Sequence, residues 1–132
     1  MGQSPINSFG PVYVTAVTTA GQTEKVIATL TGIAVDSTQK NVNIQGFVNI
    51  TPGTAAVACI IKVRRGTTTS GTQVGTSENS IAVATDNLTI PYFVNDNPGP
   101  SDGATYVLTV TETSASADGT VNEASIWALV TQ

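Results

Sequence analysis

The sequence predicts an all-β domain, an antiparallel β-sandwich of short strands. Three observations carry this. Apolar residues fill 40% of the 132 positions but charged residues only 11%, against about 25% charged in an ordinary soluble domain. Thr, Ser and Asn take up the difference, and threonine, β-branched and stiff at χ1, suits a pleated surface. Period-two alternation recurs along the chain with no credible helix, and turn residues punctuate it about every ten residues, the spacing of sandwich strands.

The organising stretch is 41–66, NVNIQGFVNITPGTAAVACIIKVRRG, read as two long strands joined by a turn. Val42, Ile44, Val48 and Ile50 fall on one face. Asn43, Gln45 and Asn49 fall on the other, with Phe47 as its apolar exception. Pro52 and Gly53 supply the turn dihedrals. Val57, Cys59, Ile61 and Val63 alternate on the return. A hairpin so apolar on one side needs a second layer over it.

Residues 1–11 form an extended N-terminal arm with Pro5, Pro11 and isolated apolar Ile6 and Phe9. Two readings are open: a disordered tail, or an arm whose Ile6 and Phe9 dock on a neighbouring subunit. Its start lacks the basic region and apolar core of a signal peptide. Residues 12–18 are a strand. Residues 26–35, apolar on both faces, suit a strand buried on two sides or a subunit contact, and Gly32 marks a bulge or close backbone approach.

After the hairpin, 67–75 is a hydroxyl-rich loop with a short edge strand near Gln73 and Val74, and 80–84 is a separate short strand. Residues 87–94 form a strand that Pro91 confines to an edge or a bulge, since proline gives no N–H to a ladder. Residues 95–103 are a turn-rich loop. Residues 104–113 alternate, with Tyr106, Leu108 and Val110 on one face. Asp118-Gly119 signals a hairpin turn into 121–131, where Ile126, Ala128 and Val130 alternate with Trp127 and Leu129. A closing strand apolar on both faces buries one in its own sandwich and the other on a neighbour. The result is one sandwich domain over 12–132, a jelly roll of eight or nine strands.

Histidine is absent, which removes the commonest general base, metal ligand and partner of nucleophilic Ser or Cys. No phosphate-cradling glycine motif occurs. Glu112 and Glu123 flank the Asp118-Gly119 turn and would be a carboxylate pair if their strands met there, but two glutamates near a hairpin are ordinary surface residues. No catalytic residue is assigned, and the chain is read as non-enzymatic. Cys59 shares a face with Val57 and Ile61 and reads as a buried small apolar residue. Asp96 and Asp102, beside Asn95 and Asn97, offer oxygen ligands for calcium, yet asparagine and aspartate beside prolines are equally turn chemistry. No cofactor or metal is assigned. A net charge of −4 and one small basic cluster, Lys62, Arg64 and Arg65, argue against nucleic acid. That cluster reads as a solvated strand end or an interface pair. No apolar run is long enough to span a membrane. Tyr13, Tyr92, Tyr106 and Trp127 all lie within strand patterns and read as core or subunit contact rather than an exposed sugar platform.

The segments VNIQGFVNITPGT, IIKVRRGTTTSGTQVG and ATYVLTVTETSASADGTVNEASIWALV resemble the trimeric jelly-roll domains of the tumour-necrosis-factor-like fold, found in bacterial collagen-like surface proteins and phage virion proteins. The likeness covers about residues 12–130 and implies a homotrimer. It makes Tyr106, Leu108, Trp127 and Leu129 the candidates for core or trimer contact. The function expected is a homotrimeric capsid decoration or cementing protein on the virion surface, with itself and the major capsid protein or another virion component as partners. The alternative is a receptor- or carbohydrate-binding head of a phage fibre or bacterial surface protein.

Overall fold

The computed structural model describes residues 7–20, 22–39, 41–51, 57–81, 86–113 and 119–132. Eight strands lie among them: β1 (Asn7–Thr18), β2 (Lys25–Val35), β3 (Asn41–Thr51), β4 (Val57–Arg65), β5 (Thr72–Ile81), β6 (Leu88–Asp96), β7 (Ser101–Glu112) and β8 (Thr120–Thr131). Sheet I has the order β1-β8-β3-β6 and sheet II the order β2-β7-β4-β5. All pairings are antiparallel. β1 meets β8, β2 meets β7, β3 meets β6 and β4 meets β5, a long folded-over ribbon wrapped into two facing sheets. This is the jelly roll that the turn spacing predicted.

The core lies between the sheets. Ile44, Val48, Ile50, Ile90, Ile126, Ala128 and Val130 from sheet I meet Leu30, Ile33, Cys59, Ile61, Val63, Leu108 and Val110 from sheet II. Period-two alternation puts these residues inward along each strand. In β7 burial is continuous from Tyr106 to Val110. The outward residues of this central strand are covered by a polar lid. Arg64 gives Glu24 two hydrogen bonds, of 2.6 and 2.8 Å, and the Thr109 hydroxyl gives it a third of 2.8 Å.

Several expectations change. The 41–66 stretch is not a hairpin: β3 and β4 belong to opposite sheets, and the expected turn at Pro52 and Gly53 lies outside the described residues. Local turn chemistry is the same for a hairpin and for a crossing between sheets, and pairing with β6, β8, β5 and β7 decides between them. β7 and β8 likewise lie in opposite sheets. Asp118 is outside the described residues, while Gly119 bonds to Thr19 on the far side of the sequence. β5 takes in Gln73, Val74, Ser80 and Ile81 of the two strands expected over 67–84, and 82–84 lie outside the described residues. β1 begins at Asn7, so 7–11 of the expected arm belong to the sheet, and Ile6 lies outside the described residues. Phe9 is not in a free arm. It pairs with Ala128 and packs, half-buried, on its own core.

Other readings hold. β6, with Pro91, is an edge strand. Gly32 has a φ of +73° at a register shift between Leu30 and Ile33, a β-bulge.

Candidate functional site

Cross-strand partners share a face, so the register of sheet I fixes what it shows to water. One outward row runs Tyr13, Ser125, Phe47, Pro91 across β1, β8, β3 and β6. The next row holds Trp127, Gln45 and Phe93. On β1 the register shifts between Phe9 and Val12, leaving Gly10 and Pro11 opposite Trp127. Gly10 has a φ of +87° there, a left-handed conformation that glycine accepts without strain. That bulge brings Pro11 into the groove wall.

The product is a shallow apolar groove of about 890 Å³ on the outside of sheet I, lined by these residues together with Ser8, Gly46 and Tyr92. Each of the four strands contributes one outward aromatic ring: Tyr13, Trp127, Phe47 and Phe93. Tyr13 is 69% exposed and Phe93 60%, the two exposed large apolar side chains among the described residues. Trp127 and Phe47 are half-buried. No lining side chain carries a charge.

Polar residues flank the groove on the same face. Toward one end, the Asn122 amide donates to Asn49 Oδ1 and Thr51 Oγ1, both at 2.9 Å, and Asn49 donates to Thr89 Oγ1 at 2.9 Å. Toward the other end, Ser8, Leu129, Asn43 and Asn95 form the next row. Beneath the groove, Tyr92 passes under Gly46 and donates its hydroxyl to the Ser125 carbonyl at 2.6 Å. Burial pushes the Tyr92 phenol up, so it stays a neutral donor.

The sequence-predicted residues divide. Tyr106 and Leu108 are fully enclosed in the core, which leaves neither a surface for a neighbouring chain. Trp127 lines the groove, and Leu129 faces outward one row away, half-buried. Of the four aromatics read as core or contact, Tyr106 and Tyr92 are enclosed, while Tyr13 and Trp127 sit on the open face. Phe47 and Phe93 join them there, and no sequence motif marks either as a site residue. Phe47, the apolar exception on an amide-rich face, was the available signal.

The other candidate chemistry disperses. Glu112 is buried in sheet II, where the Thr19 hydroxyl donates to it at 3.0 Å, and Glu123 is exposed on sheet I, so they form no dyad. Arg64 and Arg65 are held by Glu24 and Asp96, with Lys62 Nζ 3.9 Å from Glu24. The basic cluster is therefore spent within the chain. Asp96 receives Arg65 on both oxygens, at 2.5 and 2.8 Å, and the Tyr106 hydroxyl at 2.6 Å, which occupies the carboxylate offered to calcium. No group of three or more Asp, Glu, Cys or His that could hold a metal comes together among the described residues.

Cys59 is enclosed, as read from the sequence. Desolvation, with the nearby Glu112 charge adding to it, pushes the thiol up to about 11. The native protein is expected to resist a thiol-specific reagent at pH 8 and to react with one equivalent after denaturation. Fast labelling of the folded chain would show that β4 opens.

No protein-family model matches this chain, and no curated protein does. Solved structures do. A chain of infectious bursal disease virus, Gx strain, aligns over 98% of this chain and 37% of its own length, at 9% identity and a TM-score of 0.57. A chain of the T13 particle of the same virus aligns over 98% and 31%, at 10% identity and a TM-score of 0.58. A subunit of Bacillus endospore appendages, described as disulfide-linked pili, aligns over 98% and 91%, at 23% identity and a TM-score of 0.51. This chain spans about a third of the viral chains it matches. At these identities the likeness is one of fold, and it agrees with the jelly-roll topology.

Proposed function

We propose that the chain is a non-enzymatic structural protein of a virion surface. In its finer form the proposal is a homotrimeric decoration protein that binds the capsid shell through the major capsid protein or another virion component. The observation that carries it is the uncharged apolar groove on the outer face of sheet I, which equips the domain for contact. Leu129, outward at the end of β8, is the residue proposed to meet a neighbouring copy. Ile6 remains the proposed anchor to the shell. Phe9, half-buried against its own core, keeps that role through its exposed part.

Two fold neighbours come from virus particles, which supports the virion setting. The Bacillus neighbour is described as forming disulfide-linked pili. Such a linkage needs an accessible thiol, and this sequence's one cysteine is enclosed, so the proposal does not adopt it.

Multi-angle light scattering tests the assembly. The expected mass is three times 13.5 kDa, and Leu129→Asp is expected to return it to one. A wild-type monomer would remove the trimer. Deleting residues 1–6, which precede β1, is expected to keep the fold and abolish co-sedimentation with particles. Unchanged co-sedimentation would remove the anchor.

The aromatic groove favours a second reading, a receptor- or carbohydrate-binding head of a fibre or surface protein. The two readings share the fold and differ in what carries the domain. In the first reading the apolar face of sheet I is a contact surface, and in the second its groove is displayed.

A further inference from the structure

We propose that the outer groove of sheet I binds a neutral glycan chain laid across its four strands. The inference rests on the groove being displayed rather than covered, as the second of the preceding readings has it. Tyr13, Trp127, Phe47 and Phe93 stand one per strand, in the order β1, β8, β3, β6. Adjacent strands are about 4.8 Å apart, and the rings alternate between two neighbouring rows, Tyr13 and Phe47 in one and Trp127 and Phe93 in the other, so a chain crossing the strands meets a ring on one side or the other at each step. Aromatic faces suit the C–H side of a pyranose, and such rings lose little conformational freedom on binding.

Charge and polarity narrow the occupant. The lining holds no charged side chain, and the chain carries a net −4. Uronates, sialylated sugars and nucleic acid would find no cation there. Arg64 and Arg65 are already paired elsewhere. Gln45 lies between Trp127 and Phe93, and the Asn49–Asn122 and Asn43–Asn95 ends bracket the rings. Amides with both a donor and an acceptor match sugar hydroxyls, which need both. A ligand that is flat on one side, neutral and rich in hydroxyls meets the groove and its amide ends.

Trp127 is the sole tryptophan of the sequence, so its fluorescence reports on the groove directly. The test titrates the full chain with neutral gluco-, manno- and galacto-configured oligosaccharides and with matched uronate and sialylated ones. It is repeated on Tyr13→Ala and Phe93→Ala, whose wild-type side chains are exposed enough for the fold to tolerate the change. Light scattering is run on each sample.

The expected result is a saturable change with at least one neutral series, weakened about tenfold or more in each variant, with mass unchanged. Response to acidic glycans alone would overturn the neutral occupant and leave a displayed groove standing. No response to any glycan would overturn the inference, while the mass and co-sedimentation experiments still judge the structural reading. A drop in oligomer mass in Tyr13→Ala or Phe93→Ala would overturn it too, making the groove a contact between copies.

Discussion

Replacing Gly46 with alanine is expected to destabilise the domain by about 3 kcal/mol or more. Gly46 sits in β3 between Tyr92 of β6 and Ile126 of β8. A Cβ built there overlaps the Ser125 carbonyl and lies 2.7 Å from the Tyr92 hydroxyl oxygen. The backbone of β8 cannot yield without disturbing its ladder, and moving the tyrosine breaks its bond to Ser125. A buried carbonyl then loses its partner while the core is overpacked. Gly99→Ala is the informative control. Gly99 has a φ of +81° but nothing within 4 Å of the added carbon, so the backbone penalty alone applies, about 1 kcal/mol. Urea denaturation of both variants measures the difference. Equal losses would show that β3 and β8 spread freely at Gly46.

The second large effect is expected at Asp96. Arg65 and Tyr106 converge on this carboxylate and tie β4 and β7 of sheet II to β6 of sheet I. Removing one partner of a buried pair commonly costs about 3–5 kcal/mol. Here the Arg65 side chain is 37% exposed, so water takes back part of its charge, and Asp96→Ala is expected to cost about 2 kcal/mol. Most of that loss comes from the enclosed Tyr106 hydroxyl left without its acceptor.

The pH dependence follows in sign. Burial works to raise the Asp96 carboxyl, but the hydrogen bonds from Arg65 and Tyr106 and the Arg65 charge outweigh it, and the group is held below its ordinary 3.8. The hydrogen bonds from Arg64 hold Glu24 below its ordinary 4.5, against the opposing pull of desolvation. A depressed carboxyl stabilises the fold above its unfolded-state pKa and loses that contribution as pH falls through the folded value. Wild-type stability is therefore expected to drop below about pH 4, and less steeply in Asp96→Asn. Parallel acid profiles for wild type and variant would refute the assignment.

The strands were legible because burial in a sandwich follows period two, and β3 and β6 follow it closely. Pro91 marked an edge because a residue with no N–H has few other places in a sheet. Cys59 was legible from its apolar neighbours in alternation. Partnership was not legible. The Pro-Gly and Asp-Gly sequence signals fit a hairpin and a sheet crossing equally, and only pairings across the whole sequence separate them. β1 was cut short for a different reason. Its Gly10–Pro11 bulge adds a residue to the alternation, so Phe9 falls out of phase with Val12 and Val14 and looks solitary. The groove was hidden because it takes one ring from each of four strands spread from Tyr13 to Trp127. No motif joins them, and Phe93 stands out only once Gln45 and Trp127 are known to lie beside it.

The pairing of β1 with β8 sets Asn7 opposite Val130, so the outer limits of the first and last strands emerge side by side at one pole. Tension applied to both would run across the ladder, parallel to its hydrogen bonds, and would part them one after another. Held by only one of these limits, the domain bears no such load. Attachment through a single tether therefore suits this topology mechanically, whereas stringing copies end to end through both would place the peeling force on its first seam.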